Sequence, residues 1–161
     1  MPQLFLVRHS EPSLTGVLLG QSDPPLSDAG RVQAATLLEE VSLAIVYTSP
    51  LLRARETAGL LARGAPIVVV DDFREITYGV WDGLTWADIE AADPDLAVNK
   101  LRDWRKFTPE GGEPWDEFVT RVKRAFEPLQ SGPRPAAIVA HAAVNEILGA
   151  CGQEYGGIHE I

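Results

Sequence analysis

The segment LFLVRHSEPS, residues 4–13, begins as an apolar run and then places Arg8 and His9 where that run stops. A short apolar run of this kind predicts a buried β-strand, and a second run with the same ending, AAIVAH at residues 136–141, predicts another. Patterns typical of helices lie between them. Because strands that alternate with helices favour a mostly parallel sheet covered on both faces, the expected fold is α/β, a three-layer α/β/α sandwich.

The remaining elements follow from the spacing of apolar residues. Residues 27–41, SDAGRVQAATLLEEV, predict a helix with Ser27 as N-cap and with Val32, Ala35, Leu38 and Val41 on its buried face. Further strands are predicted at residues 43–49 and 66–70, and further helices at about residues 50–62 and within residues 113–129. Residues 71–112 carry many turn residues and three of the four tryptophans, so we expect loops and short helices over one end of the sheet.

Composition limits the classes of function. A chain of 161 residues, with 45% hydrophobic and 23% charged residues, fits one globular domain over residues 1–161. The formal net charge of −9 argues against a nucleic-acid partner, which needs a basic face. The single cysteine, Cys151, fits a reducing compartment, and no apolar run reaches the roughly 20 residues of a membrane span, so a cytoplasmic protein without membrane association is expected.

Several charged and imidazole side chains should meet at one edge of the sheet. His9 and His141 each follow a predicted strand, and ligands of open α/β sheets gather at the carboxyl ends of the strands. Arg8 and Arg53, the latter in TSPLLRARETA, can reach the same edge, and guanidinium groups match phosphate geometry. Glu75, where a strand-like run gives way to a glycine-containing turn in REITYGVWDG, adds a carboxyl group. The pattern predicts an oxyanion site with an acid beside it.

Six segments together resemble the histidine phosphatase superfamily, also called phosphoglycerate mutase-like, over nearly the whole chain and in the expected order. They are LVRHSEP, GQSDPPLSDAGRVQA, TSPLLRARETA, REITYGVWDG, GGEPW and VAHAAVNEI. The resemblance implies that His9 is the nucleophile, Glu75 the catalytic acid and His141 the second catalytic histidine. It implies phosphate binding by Arg8, Arg53, His141, Ser10 and Ala142.

Within the superfamily, the compact length and the closing segment QEYGGIHEI are most similar to the α-ribazole 5′-phosphate phosphatases of cobalamin biosynthesis. The resemblance implies a phosphomonoesterase that acts on a small-molecule phosphate ester through a phosphohistidine. No metal or other cofactor is expected, since the sequence has no cluster of ligands at metal spacing and the arginines supply positive charge. The oligomeric state is not predicted.

Two alternatives stay open. One is a phosphoglycerate mutase, against which the compact middle region argues. The other is a catalytically dead module that binds a phosphate ligand, suggested by three departures from the family pattern. Ser10 stands in place of the signature glycine and would be strained at positive φ; Ala142 follows the second histidine; and the stretch after it, residues 142–157, looks shortened, with Glu146 in place of a frequent arginine.

Overall fold

A five-stranded, mostly parallel sheet organises the chain. The computed structural model describes residues 3–161. The strands, in chain order, are β1 (Leu4–Arg8), β2 (Ile45–Thr48), β3 (Ile67–Val69), β4 (Ala136–Ala140) and β5 (Ile158–Glu160). Their order across the sheet is β3-β2-β4-β1-β5, and only β5, beside β1, runs antiparallel. The α/β prediction with a mostly parallel sheet is confirmed.

The two central strands, β1 and β4, are buried on both faces. Every residue of β4 is buried, which explains why its sequence reads as a continuous apolar run. Because side chains alternate along a strand, Leu4 and Leu6 of β1 enter one core cluster while Phe5 and Val7 enter the other. The sheet therefore has a hydrophobic core on each side.

Helices cover both faces and complete the three layers. Ala54, Ala58 and Leu61 pack with Phe5 and Val7 in one core, and residues from two other helices pack in the second. The helices are α1 (Asp28–Thr36), α2 (Leu52–Leu61), α3 (Trp86–Ala92), α4 (Pro94–Arg102), α5 (Trp115–Phe126) and α6 (Ala142–Leu148). None of the helices within residues 3–161 is long and apolar enough to cross a membrane.

The first helix begins as predicted but buries a different face. The Ser27 side chain accepts a hydrogen bond from Gly30 N, which confirms the N-cap. The helix ends at Thr36, however, and Val32 is 70% exposed, so the predicted face was wrong within the helix. Ala35 is exposed as well. Leu38 and Val41 lie after the helix and do pack against the core.

Small residues face the core in this helix because the backbone runs directly against it. Gly30 and Ala34 are the buried positions of the helix, and Leu37, directly after it, is buried as well. A Cβ at Gly30 would lie only 2.2 Å from the carbonyl oxygen of Glu11. Close approach of the segment after β1 thus selects glycine and alanine here, and apolar periodicity cannot show that.

The middle region consists of loops and short helices, as expected. It holds α3, α4 and two 3₁₀ turns, Asp71–Phe73 and Gly79–Trp81. Trp81 is buried in a small cluster with Ile89 and Ala97. This tryptophan therefore serves packing.

Candidate active site

The two central strands bring His9 and His141 together. Arg8 pairs in register with Ala140, and the His9 backbone N–H donates to the Ala140 carbonyl over 2.9 Å. The next residue of each strand is therefore a histidine at the same sheet edge. The ring centroids lie 5.2 Å apart at a tilt of 59°. Both rings are buried, with exposures of 4% for His9 and 0% for His141.

One nitrogen of the His9 ring is left free to act as a nucleophile. Its Nδ1 lies 2.8 Å from the Ser10 carbonyl oxygen. A carbonyl only accepts hydrogen bonds, so in the neutral ring Nδ1 carries the proton and Nε2 holds a lone pair. Burial, reinforced by the positive charge of Arg53, lowers the pKa of His9 to about 3. The ring is therefore neutral at physiological pH.

The ring of the second histidine, His141, forms a hydrogen bond with a serine. His141 Nε2 lies 2.8 Å from Ser49 Oγ, while His141 Nδ1 is buried without a hydrogen-bond partner. Burial first, and then the neighbouring His9 and arginines, lower the pKa of this ring well below its ordinary value. If the Ser49 hydroxyl donates to Nε2, the proton of the neutral His141 ring is on Nδ1. The Nδ1–H can then donate a hydrogen bond to a ligand. Sequence reasoning missed Ser49, although it lies in the segment TSPLLRARETA.

Arg53 enters the cluster from the first turn of α2 and is only 1% exposed. Its two terminal nitrogens donate to the carbonyl oxygens of Leu19, Gly20 and Ser22 at 2.8 to 3.2 Å. Within residues 3–161 no carboxylate forms an ion pair with it. The guanidinium thus carries its positive charge beside the histidines without a direct carboxylate partner.

The loop that holds Arg53 is itself fixed by Asp82. The Asp82 carboxylate accepts hydrogen bonds from the backbone N–H groups of Gly20, Gln21 and Ser22, at 3.1, 2.9 and 2.9 Å. Three such bonds to one carboxylate fix the carbonyls to which Arg53 donates. Asp82 thereby positions the arginine, a role that the sequence did not reveal.

Glu75 contributes a buried carboxyl group to the same cluster. It is 6% exposed, and one oxygen accepts a hydrogen bond from the Ile76 backbone N–H at 2.9 Å. Burial raises the pKa of Glu75, although that hydrogen bond and the charges of Arg53 and Arg8 oppose the shift. A carboxyl group with a raised pKa is suited to donate a proton near neutral pH.

Arg121 of α5 holds the backbone around Glu75. Its guanidinium donates to the carbonyl oxygens of Asp72, Arg74 and Glu75, at 2.6 to 3.2 Å. It also forms a two-pronged ion pair with Glu113, with distances of 2.6 and 2.8 Å. Glu113 belongs to the GGEPW segment, so through Arg121 that segment supports the backbone that carries Glu75.

Ser10 fits its position without backbone strain. Within the described chain, the non-glycine residues with positive φ are Leu38 and Arg63, so the strain considered for Ser10 is absent. Its backbone N–H donates to Thr57 Oγ1 at 3.0 Å. Its hydroxyl is buried without a partner, and Ala142 begins α6 directly after His141.

Unpartnered buried atoms concentrate at this cluster. Five buried side-chain atoms of residues 3–161 lack a hydrogen-bond partner, and four belong to the predicted phosphate ligands: Arg8 Nε, Ser10 Oγ, Arg53 Nε and His141 Nδ1. Buried polar atoms are normally paired, so unpaired ones that converge indicate a ligand. Guanidinium, hydroxyl and imidazole donors together suit an oxyanion.

The described residues include no group of three or more His, Cys, Asp or Glu side chains that could hold a metal ion. The positive charge of the cluster comes instead from Arg8 and Arg53. Fold and cluster together define an α/β protein with an oxyanion-type site at the carboxyl ends of its parallel strands. The chain belongs to the histidine phosphatase superfamily (branch 1), which matches residues 4–155.

Known relatives share this architecture. The adenosylcobalamin/alpha-ribazole phosphatase of Salmonella typhimurium is 31% identical over 155 residues, which are 91% of this chain and 77% of that protein. A phosphoglycerate mutase structure from Thermus thermophilus superposes with a TM-score of 0.77 at 32% identity, covering 99% of this chain and 92% of that one.

Other relatives are much longer. A bifunctional protein of Mycobacterium tuberculosis is 34% identical over 153 residues, which are 90% of this chain. The match spans 42% of the length of that relative. This chain therefore spans less than half the length of that relative.

Proposed function

We propose that the protein is a metal-independent phosphomonoesterase that acts through a phosphohistidine on His9. The carrying observation is that four of the five unpartnered buried side-chain atoms of residues 3–161 belong to His141 and to residues next to the two neutral histidines. A phosphoryl group bound there would give each donor an oxygen to bind. The free Nε2 of His9 is the nucleophile that the ring geometry favours.

The chemistry divides into two displacements. In the first, the lone pair of His9 Nε2 attacks phosphorus, the N–P bond forms and the bond from phosphorus to the ester oxygen breaks. Glu75, whose pKa is raised by burial, is the acid in this scheme and donates its proton to the departing oxygen. In the second, ionised Glu75 takes a proton from water, which attacks phosphorus and releases inorganic phosphate from His9.

Arg8, Arg53 and His141 would stabilise the charge that shifts over the phosphoryl oxygens. Both guanidinium groups have an unpartnered Nε–H, and His141 has an unpartnered Nδ1. Preorganised donors of this kind need no reorganisation during the reaction. In this scheme Ser10 Oγ is a further phosphate donor, and Ala142 contributes through its backbone N–H.

For the substrate we propose a small-molecule phosphate ester, with α-ribazole 5′-phosphate as the first candidate. The support is the similarity to the Salmonella typhimurium phosphatase, which extends over 91% of this chain. Cobalamin biosynthesis is then the pathway in which the enzyme would act. A cytoplasmic location, for which the single cysteine Cys151 was the sequence argument, stays a prediction.

A phosphoglycerate mutase is the second candidate. The match covers 92% of a phosphoglycerate mutase chain from Thermus thermophilus, so the compact length of this protein does not separate the two activities. A catalytically dead binding module has less support, because Ser10 is unstrained and the chain retains both histidines, both arginines and Glu75.

The deciding experiment is a turnover screen of purified protein against a panel of phosphate esters without added metal. The panel includes α-ribazole 5′-phosphate, sugar phosphates, phosphoserine and 3-phosphoglycerate, the last with and without 2,3-bisphosphoglycerate. Release of inorganic phosphate is expected. Isomerisation of 3-phosphoglycerate without phosphate release would support the mutase instead, and binding of the esters without turnover would support the dead module.

A further inference from the structure

The segment Gln153–Gly157 lies directly against the turn that carries the nucleophile. The Gly156 backbone N–H donates to the carbonyl oxygens of Arg8 and His9, both at 3.1 Å. The Arg8 backbone N–H donates to the Gly157 carbonyl over 3.0 Å. The segment Gln153–Gly157 is thus hydrogen-bonded to the backbone of Arg8 and His9.

The same segment also holds the Arg8 side chain. Arg8 Nη1 donates to the Gln153 carbonyl over 2.7 Å. The Arg8 guanidinium lies over the Tyr155 ring, 4.2 Å from its centroid, and the ring is also 5.7 Å from that of His9. Arg8 Nε remains buried and unpartnered. Gln153 therefore holds Nη1 and Tyr155 covers one face of the guanidinium. The Nε–H remains without a partner and can donate to a ligand.

Gln153 is itself firmly anchored. Its side-chain amide donates to the carbonyls of Leu6 and Gly157, at 2.9 and 3.1 Å, and its side-chain oxygen accepts from Asn145 Nδ2 over 2.8 Å. Asn145 lies in α6, so this network joins β1, α6 and the end of the chain. The support under Arg8 is thereby fixed to the core of the fold.

We propose that Tyr155 is a positioning residue that orients the Arg8 guanidinium for the phosphoryl group. The inference rests on the proposed function. A flat ring under a flat guanidinium restricts its rotation and attracts its charge, so the direction of the Nε–H does not have to be fixed when the ligand binds. Tyr155 acts on the phosphoryl group through Arg8.

The test compares Tyr155→Phe with Tyr155→Leu, since phenylalanine keeps the ring and leucine keeps only apolar bulk. Binding of inorganic phosphate and of vanadate is measured by calorimetry, with melting temperatures as the folding control. Wild-type affinity is expected in Tyr155→Phe. Affinity about 2- to 30-fold weaker is expected in Tyr155→Leu, the range that cation–π contacts span.

A double-mutant cycle then asks whether Tyr155 works through Arg8. In an Arg8→Ala background, Tyr155→Leu should cause no further loss of affinity, because the group that Tyr155 orients is gone. An equal loss in both backgrounds would overturn the inference, as would a loss in Tyr155→Phe that matches the loss in Tyr155→Leu. If wild-type protein binds phosphate and hydrolyses esters, such results count against the role of Tyr155 alone. Absence of both in the wild type would overturn the proposed function and this inference together.

Discussion

The His9 and His141 rings lie side by side at a tilt of 59°, with centroids 5.2 Å apart, although they come from distant parts of the sequence. The parallel pairing of β1 with β4 produces this approach, since each histidine follows its strand at the same level. Each ring has one nitrogen held by the protein, through the Ser10 carbonyl for His9 and through Ser49 for His141. The other nitrogen of each ring is available for a phosphoryl group.

Replacement of His9 should remove turnover but not phosphate binding. His9→Ala deletes the nucleophile while Arg8, Arg53 and His141 remain, so inorganic phosphate should still bind. Rapid quenching of wild-type protein with a labelled ester should trap acid-labile phosphate on His9. The exposed strand residue His159 provides the matched control, because His159→Ala should react normally. Label on Ser10, or full activity in His9→Ala, would contradict the assignment.

The buried His9 should make the fold sensitive to acid. Folding lowers the pKa of His9 from 6.5 to about 3, so below pH 6.5 the unfolded chain binds a proton that the folded protein does not. Its contribution to stability is therefore complete above pH 6.5 and is lost as the pH falls. By pH 5 the loss is about 2 kcal/mol.

Urea unfolding of wild type and His9→Asn at pH 7.5 and pH 5 measures this effect. The free energy of unfolding of the wild type should fall more between the two pH values than that of the variant. Glu75, whose pKa is raised, contributes in the opposite sense, but it is present in both proteins and cancels in the comparison. Equal pH dependence of the two proteins would show that His9 is not held neutral.

The roles of Glu75 and Arg53 should separate by leaving group. Alkyl phosphates need a proton on the departing oxygen, whereas p-nitrophenyl phosphate leaves as a stable phenolate. Single-turnover phosphorylation by Glu75→Gln should therefore slow about 10²–10⁴-fold on alkyl esters and far less on the aryl ester. Arg53→Ala should slow both similarly, because charge on the phosphoryl group needs stabilisation whatever departs. Equal losses on both esters in Glu75→Gln would remove Glu75 from the acid role.

Asp82 should affect phosphate binding without touching it. Asp82→Ala leaves three backbone N–H groups of the loop at residues 20–22 without their acceptor and loosens the support of Arg53. We expect a stability loss of about 1–3 kcal/mol and weaker binding of vanadate. Asp28, a fully exposed carboxylate, offers the control Asp28→Ala. Unchanged vanadate affinity in Asp82→Ala would contradict the positioning role.

Activity should not depend on a metal ion. Arg8 and Arg53 supply the positive charge that a divalent cation would otherwise bring, so dialysis against EDTA should leave turnover unchanged. Vanadate should inhibit, because it adopts the five-coordinate geometry of the transferring phosphoryl group. Restoration of an EDTA-inactivated protein by magnesium or zinc would contradict this prediction.

Local sequence patterns determined much of this protein. The uninterrupted apolar runs before His9 and His141 predicted the two central strands, because strands buried on both faces read as continuous apolar runs. Parallel strands end at a common edge, so the meeting of the histidines followed as well. Arg53 and Glu75 were predicted from their segments, and both side chains are buried and interact electrostatically with each other.

The tertiary structure alone decided which residues support the site. The sequence assigned no role to Asp82, and only the folded loop shows that its carboxylate accepts hydrogen bonds from three backbone N–H groups. Ser49 and Tyr155 carry no periodic signal, since their partners His141 and Arg8 are distant along the chain. The buried face of α1 was mispredicted for a similar reason, because the Glu11 backbone packs against Gly30. Hydrophobic patterning reports whether a segment is buried, but the identity of its neighbours depends on how the whole chain closes.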